Sequence, residues 1–108
     1  MTNSLLENLL AFYREDPDDP FNMYALAMEY AKSDPAKAGQ FYNMLLTEHS
    51  AYLPTYYHAA AFFALRDKVE QADEIYRKGI ELALLQKNNK THQELVRAYR
   101  NFLDEMDD

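Results

Sequence analysis

Apolar residues recur along the chain at the i, i+3, i+4 spacing of a helix face, in six groups separated by polar or proline-marked breaks. Leu5, Leu6, Leu9, Leu10 and Tyr13 form the first stripe, and Ser4 with Glu7 has the spacing of a capping box at its start. Asp16-Pro17-Asp18-Asp19-Pro20 stops that helix, because a residue before proline avoids the helical region. Asp19 is placed to cap the next helix, with Pro20 at its first position, where the missing amide costs nothing. Met23, Leu26, Ala27 and Tyr30 carry the buried face of this second helix. Asp34-Pro35 repeats the punctuation and opens a third helix, buried through Ala38, Phe41, Tyr42, Leu45 and Leu46.

The same grammar continues to the end of the chain. Pro54 opens a fourth helix that runs to about Arg66. Asp67 and Glu70 have capping-box spacing ahead of a fifth helix carrying Ala72, Ile75, Tyr76, Gly79, Ile80, Leu82 and Ala83. After the polar break Lys87-Asn88-Asn89-Lys90, Thr91 with Glu94 opens a last helix with Leu95, Ala98, Tyr99, Phe102, Leu103 and Met106 on one side. Its acidic end, Asp104-Glu105 and Asp107-Asp108, lies at the unfavourable pole of the helix dipole, so fraying is expected there. Every connection is short, which predicts antiparallel neighbours in an all-α fold.

The groups are not independent. Met23, Leu26, Ala27 and Tyr30 recur 33 positions later as Tyr56, Ala59, Ala60 and Phe63, and Ala38 and Tyr42 recur 34 positions later as Ala72 and Tyr76. Small residues at Ala27, Ala38, Ala60, Ala72 and Gly79 let helices cross closely, while Tyr30, Tyr42, Phe63 and Tyr76 fill the space beside each crossing. The pattern large–x2–Leu–small–x2–aromatic, then small–x3–aromatic, resembles the tetratricopeptide repeat, in the form of a short bacterial-type member. Met23 and Tyr56 stand where the family usually has Trp, Ala59 where it has Leu, and Leu45 where it has a small residue. Ser50 and Leu84 replace the usual closing prolines.

The resemblance implies antiparallel hairpins stacked as a short right-handed solenoid. It divides the chain, as one domain over 1–108, into an N-terminal capping helix (1–16), repeat one (20–50), repeat two (53–86) and a C-terminal capping helix (91–106). Arrays of this kind need about three units to be stable. The first and last helices therefore supply half-repeats that complete the stack.

Composition narrows the functional classes. A formal net charge of −7 disfavours nucleic acid and anionic membrane surfaces as partners, since both require a basic face. There is no cysteine, hence no disulfide framework, Cys-based zinc site or thiol nucleophile. Two glycines cannot furnish a phosphate-cradling loop. No apolar run approaches the roughly 20 residues of a membrane span. The N-terminal sequence does not have the form of a secretory signal, so a cytoplasmic protein is expected. His49, His58 and His92 lie far apart and lack the i, i+4 partners of a metal site; neither cofactor nor catalysis is expected.

By the family resemblance, the first helix of each hairpin lines a concave groove that holds a peptide or a partner helix. The groove positions are Phe21, Tyr24, Ala25 and Met28 in the first copy and Tyr57, His58, Ala61 and Leu65 in the second. Arg97 and Arg100 join them from the last helix, with Gln93 beside them. Such a groove is aromatic and small-apolar with a cationic end, suited to an apolar segment bearing a carboxylate. It lacks the Lys and Asn of family members that hold chaperone C-termini. Two alternatives stand beside this protein-interaction role. The aromatics can be core filler, with Arg97 and Arg100 paired to Glu94 and Asp104. Or the apolar face can close a homodimer.

Overall fold

A computed structural model describes residues 3–107 and contains six α-helices, with no strand among the described residues. They are α1 (Ser4–Glu15), α2 (Pro20–Tyr30), α3 (Pro35–Glu48), α4 (Pro54–Leu65), α5 (Val69–Leu85) and α6 (Asn89–Met106). The chain forms two compact units, Met1–Thr55 and Tyr56–Asp108, the division falling in the first turn of α4. The fraying expected at Asp108 lies outside the described residues; α6 itself continues to Met106.

In the first unit, α2 packs between α1 and α3. Asp19 and Asp34 cap α2 and α3 as the sequence predicts, their carboxylates accepting from the Phe21 amide at 2.9 Å and the Lys37 amide at 3.3 Å. Leu26, Ala27, Ala38 and Leu45 are completely buried. The small pair Ala27 and Ala38 leaves room for aromatics alongside. Tyr30 stacks on Phe41 at 6.0 Å, and Tyr13 of α1 meets the same ring edge-on at 5.4 Å. Phe41 and Leu46 remain only half-buried, at the margin of the face assigned to them.

Helix α1 is held differently. None of its residues is fully buried; Leu6, Leu9, Leu10 and Tyr13 are half-covered, whereas Leu5, placed in the apolar stripe by its spacing, is 51% exposed. Two asparagines fasten the helix instead. Asn3, not Ser4, is its N-cap: the side-chain oxygen accepts from the Leu6 amide at 3.0 Å, and the side-chain nitrogen donates to Glu29 of α2 at 3.3 Å. Asn22 of α2 donates to the carbonyls of Phe12 and Asp16 at the other end of α1, at 3.3 and 3.0 Å. Both bridge α1 and α2, and Asn3 also satisfies the Leu6 amide, one of the donors that the start of α1 leaves free.

In the second unit Gly79 sits where three helices meet. A Cβ built there would lie 2.7 Å from Cβ of Tyr56 on α4 and 3.2 Å from a methyl of Leu95 on α6. Tyr76, Tyr99 and Phe102 pack around the α5–α6 contact with centroid separations of 5.4 to 6.2 Å. The Tyr99 hydroxyl donates to Asp73 at 2.6 Å, and Asp73 pairs with Arg77 at 2.9 Å. Accepting that proton donation, the Asp73 carboxylate holds the Tyr99 phenol above its ordinary pKa.

The two remaining capping boxes do not form. Asp67 and Lys87 both adopt left-handed backbone, with φ of 61° and 57°. Each closes the preceding helix in a Schellman turn: Lys68 N–H bonds Phe63 O and Asp67 N–H bonds Ala64 O, matched by Asn88 to Ala83 and Lys87 to Leu84. With Asp67 committed to ending α4, α5 starts after Lys68 without a side-chain cap. With Lys87 ending α5, Asn88 becomes the cap of α6, accepting from the Thr91 amide at 3.0 Å, so α6 begins two residues before Thr91.

Candidate functional site

The first unit presents part of α2. Phe21 and Met28, one near each end of the helix, are 57% and 37% exposed, and Ala25 between them is half-exposed. Tyr24 lies between them in sequence but is half-buried, its ring edge-on to Tyr52 at 5.9 Å. Burial raises its phenol pKa, and the neighbouring Tyr52 adds to the shift. Tyr24 thus supports the segment before α4 as well as lining the surface.

The second unit presents α4 and α6. Tyr57 is 42% exposed and packs edge-on against the neighbouring His58 ring at 5.4 Å. His58 is half-buried, and desolvation lowers its pKa, so it is neutral at physiological pH. Ala61 is half-buried, while Leu65 is almost fully exposed in the last turn of α4. On α6, Gln93, Arg97 and Arg100 are exposed. They line an open depression of about 270 Å³ together with His92 and Val96. Neither arginine has an ion pair among the described residues; the pairs present are Lys32–Glu29, Arg77–Asp73 and Lys78–Glu74. The pairing with Glu94 and Asp104 that the sequence allowed does not occur. The orientation Arg100 before Asp104 is the weaker order for an i, i+4 pair.

The sequence pattern identified Gln93, Arg97 and Arg100 but missed His92 and Val96. The spacing His92, Val96, Arg100 is the signal that could have found them. Leu103 and Met106, assigned to the inner side of α6 by spacing, are 40% and 49% exposed. They lie at its C-terminal end, beyond Phe102, the last buried residue of the helix. Among the described residues no three His, Asp or Glu side chains gather so as to hold a metal ion. His49 follows α3, His58 lies within α4 and His92 in the first turn of α6.

Paired helices crossing on small residues, with large side chains left uncovered on the first helix of each pair, define a helical-repeat protein. No family model matches the chain, and no curated protein matches it. Solved structures do. A solution NMR structure of a tetratricopeptide repeat domain protein from Salinibacter ruber is 34% identical, with a TM-score of 0.76 over 81% of this chain and 89% of that one. A crystal structure of a tetratricopeptide repeat domain protein from the same organism is 32% identical, with a TM-score of 0.73 over 78% of this chain and 96% of that one. The chain belongs to the tetratricopeptide repeat family.

Proposed function

We propose that this protein is a non-enzymatic interaction module, cytoplasmic as its sequence suggests, which binds a peptide or partner helix through Phe21, Tyr24, Met28, Tyr57, His58, Ala61, Arg97 and Arg100. The observation that carries this reading is the exposure of Phe21, Met28, Tyr57 and Leu65 on the first helix of each repeat, when the same helices bury Met23, Leu26, Tyr56 and Phe63. Large apolar and aromatic side chains left uncovered in this way provide contact area at modest entropic cost. Family membership supports protein binding as the general role.

The test is a pull-down with the wild-type chain beside a Phe21→Ala/Tyr57→Ala variant, partners being identified by mass. Both positions are exposed, so the variant keeps its fold, which circular dichroism checks. Partners retained by the wild type and lost by the variant are the expected result. An identical partner set for both proteins refutes the assignment of these faces. Light scattering on the same samples addresses the competing homodimer: a dimer abolished by the two alanines would assign the surface to a second copy.

A further inference from the structure

We infer that α6 of one copy of this chain docks on α1 of a second copy, the two helices completing between molecules the hairpin that each repeat forms within one. In repeat one α3 packs on α2 and buries Ala38, Tyr42 and Leu45. In α5, 34 positions on, Ala72, Tyr76 and Gly79 are buried in the same way. Counting back 33 positions from α3 gives Leu5, Leu9 and Phe12 of α1, and this stripe is open: Leu5 and Phe12 are 51% and 56% exposed. On the first helices the matching stripe is Met23, Ala27 and Tyr30 of α2, then Tyr56, Ala60 and Phe63 of α4, all buried. It recurs 36 positions after α4 as His92, Val96 and Tyr99 of α6, each only half-buried. Helix α1 thus carries a second-helix stripe and α6 a first-helix stripe, and both lack the cover that their counterparts have.

At roughly 100° per residue, the apolar side chains from Leu5 to Tyr13 span an arc of about 160° around α1, more than the roughly 100° that packs on one neighbour. The Leu6, Leu10 and Tyr13 side is half-covered within its own unit, which leaves the Leu5–Phe12 side for a second helix. In repeat two the register sets Gly79 against Tyr56. The same register sets Phe12 of one copy against His92 of the other, Leu9 against Val96, and Leu5 against Tyr99. These side chains are bulkier than Gly79 and Ala72, so the helices pack at an ordinary spacing of about 8–10 Å. Antiparallel pairing also brings Lys87 and Lys90, at the start of α6, to Glu15 and Asp16 at the end of the neighbour's α1. All four are exposed and none is in an ion pair among the described residues. Exposed pairs add little energy, so they select the orientation while the apolar stripes supply the affinity. The 12 residues of α1 extend about 18 Å, so the contact falls below the roughly 1,200 Å² of stable complexes and the association is weak. Because the two molecules use different faces, the contact can propagate.

The test is sedimentation equilibrium from about 10 μM to about 2 mM, the range of a weak contact. Leu5→Glu/Phe12→Glu spoils the α1 face and His92→Glu/Val96→Glu the α6 face, and circular dichroism checks both folds. The wild type should self-associate as concentration rises. Each variant alone should associate about tenfold or more weakly, since a carboxylate is then buried in an apolar contact. Mixed in equal amounts, the two variants should form a one-to-one dimer, because the mixture holds one intact α6 face and one intact α1 face. Amide shifts of the wild type on dilution should centre on residues 5–12 and 92–99, a readout that needs neither variant. A wild type monomeric at the highest concentration, a variant that associates like wild type, or a mixture of folded variants that stays monomeric overturns the inference. So do dilution shifts centred elsewhere, or loss of self-association in Phe21→Ala/Tyr57→Ala, which would put the contact on α2 and α4. The pull-down reads a different partner on different side chains, so the two proposals fail separately.

Discussion

Substituting alanine for Gly79 adds one methyl group at the tightest helix crossing in the second unit. The new carbon would lie 2.7 Å from Tyr56 Cβ, 3.1 Å from Tyr56 Cγ and 3.2 Å from a Leu95 methyl. Carbon atoms pack favourably at about 3.5–4.0 Å. The Leu95 methyl can rotate aside, but Tyr56 Cβ is fixed to the α4 backbone, so the crossing must widen by roughly 1 Å. Overpacking of this kind costs about 1–3 kcal/mol, and the fixed neighbour puts Gly79 at the upper end. Against this, replacing a mid-helix glycine by alanine gains about 1 kcal/mol of helix propensity. The net expectation is a loss of about 1–2 kcal/mol. For a domain near this size that lowers Tm by roughly 5–15 °C. Thermal unfolding followed by circular dichroism measures it, with Gly39→Ala in α3 as the comparison. Gly39 is partly exposed, and there the propensity gain of about 0.5–1 kcal/mol should appear as a higher Tm. A Gly79→Ala protein as stable as wild type, or more so, would refute the close-crossing argument.

Lys87→Gly should stabilise the protein by about 1 kcal/mol in urea titration, because a lysine held at positive φ pays a steric cost that glycine does not. Asp67→Gly should gain less, since aspartate tolerates that region better. Thr55 is 1% exposed and its hydroxyl has no hydrogen-bond partner among the described residues, so the isosteric Thr55→Val should gain about 1 kcal/mol by the same assay. Asn22→Ala should cost about 1 kcal/mol and accelerate hydrogen exchange in α1 before the other helices. In the unfolded chain His58 takes up a proton near pH 6.5, while burial keeps its folded value lower. The unfolded state therefore binds more protons below that pH. Stability is complete above 6.5 and declines as pH falls through the folded value, and His58→Gln should flatten this decline. An NMR titration of His58 at or above 6.5 would contradict it.

Proline made the first unit legible. Asp19-Pro20 and Asp34-Pro35 combine a cap with a residue confined to the first helical turn, and both predicted starts match the structure. The capping boxes at Ser4, Asp67 and Thr91 had the right spacing without such an anchor; Asn3 and Asn88 took the role at the first and last, and α5 starts with no side-chain cap. At the two later sites the cause is the preceding turn. Asp67 and Lys87 close α4 and α5 in left-handed backbone, a position usually signalled by glycine, and neither residue announces it. The crossing residues were legible because Ala27, Ala38, Ala60, Ala72 and Gly79 repeat at a fixed period. Exposure was harder to read. Phe21, Tyr24 and Met28 are all large and apolar, and spacing alone could not tell that Tyr24 leans on Tyr52 while the other two stay open. Whether Arg97 and Arg100 were paired depended on side-chain order along α6, which a list of nearby acids does not contain.

The fastening of α1 by Asn3 and Asn22 has a consequence for how its release would register in solution. Undocking a helix that has no fully buried residue exposes little new apolar surface. Such a step therefore has a shallow dependence on denaturant concentration and a small heat-capacity change. It would leave the main transition almost unshifted by urea, and would be missed by a probe that reports only on the cores around Leu26 and Leu95. A fluorophore on α1, read at several urea concentrations below the main transition, would detect the helix leaving as a gently sloping event of its own.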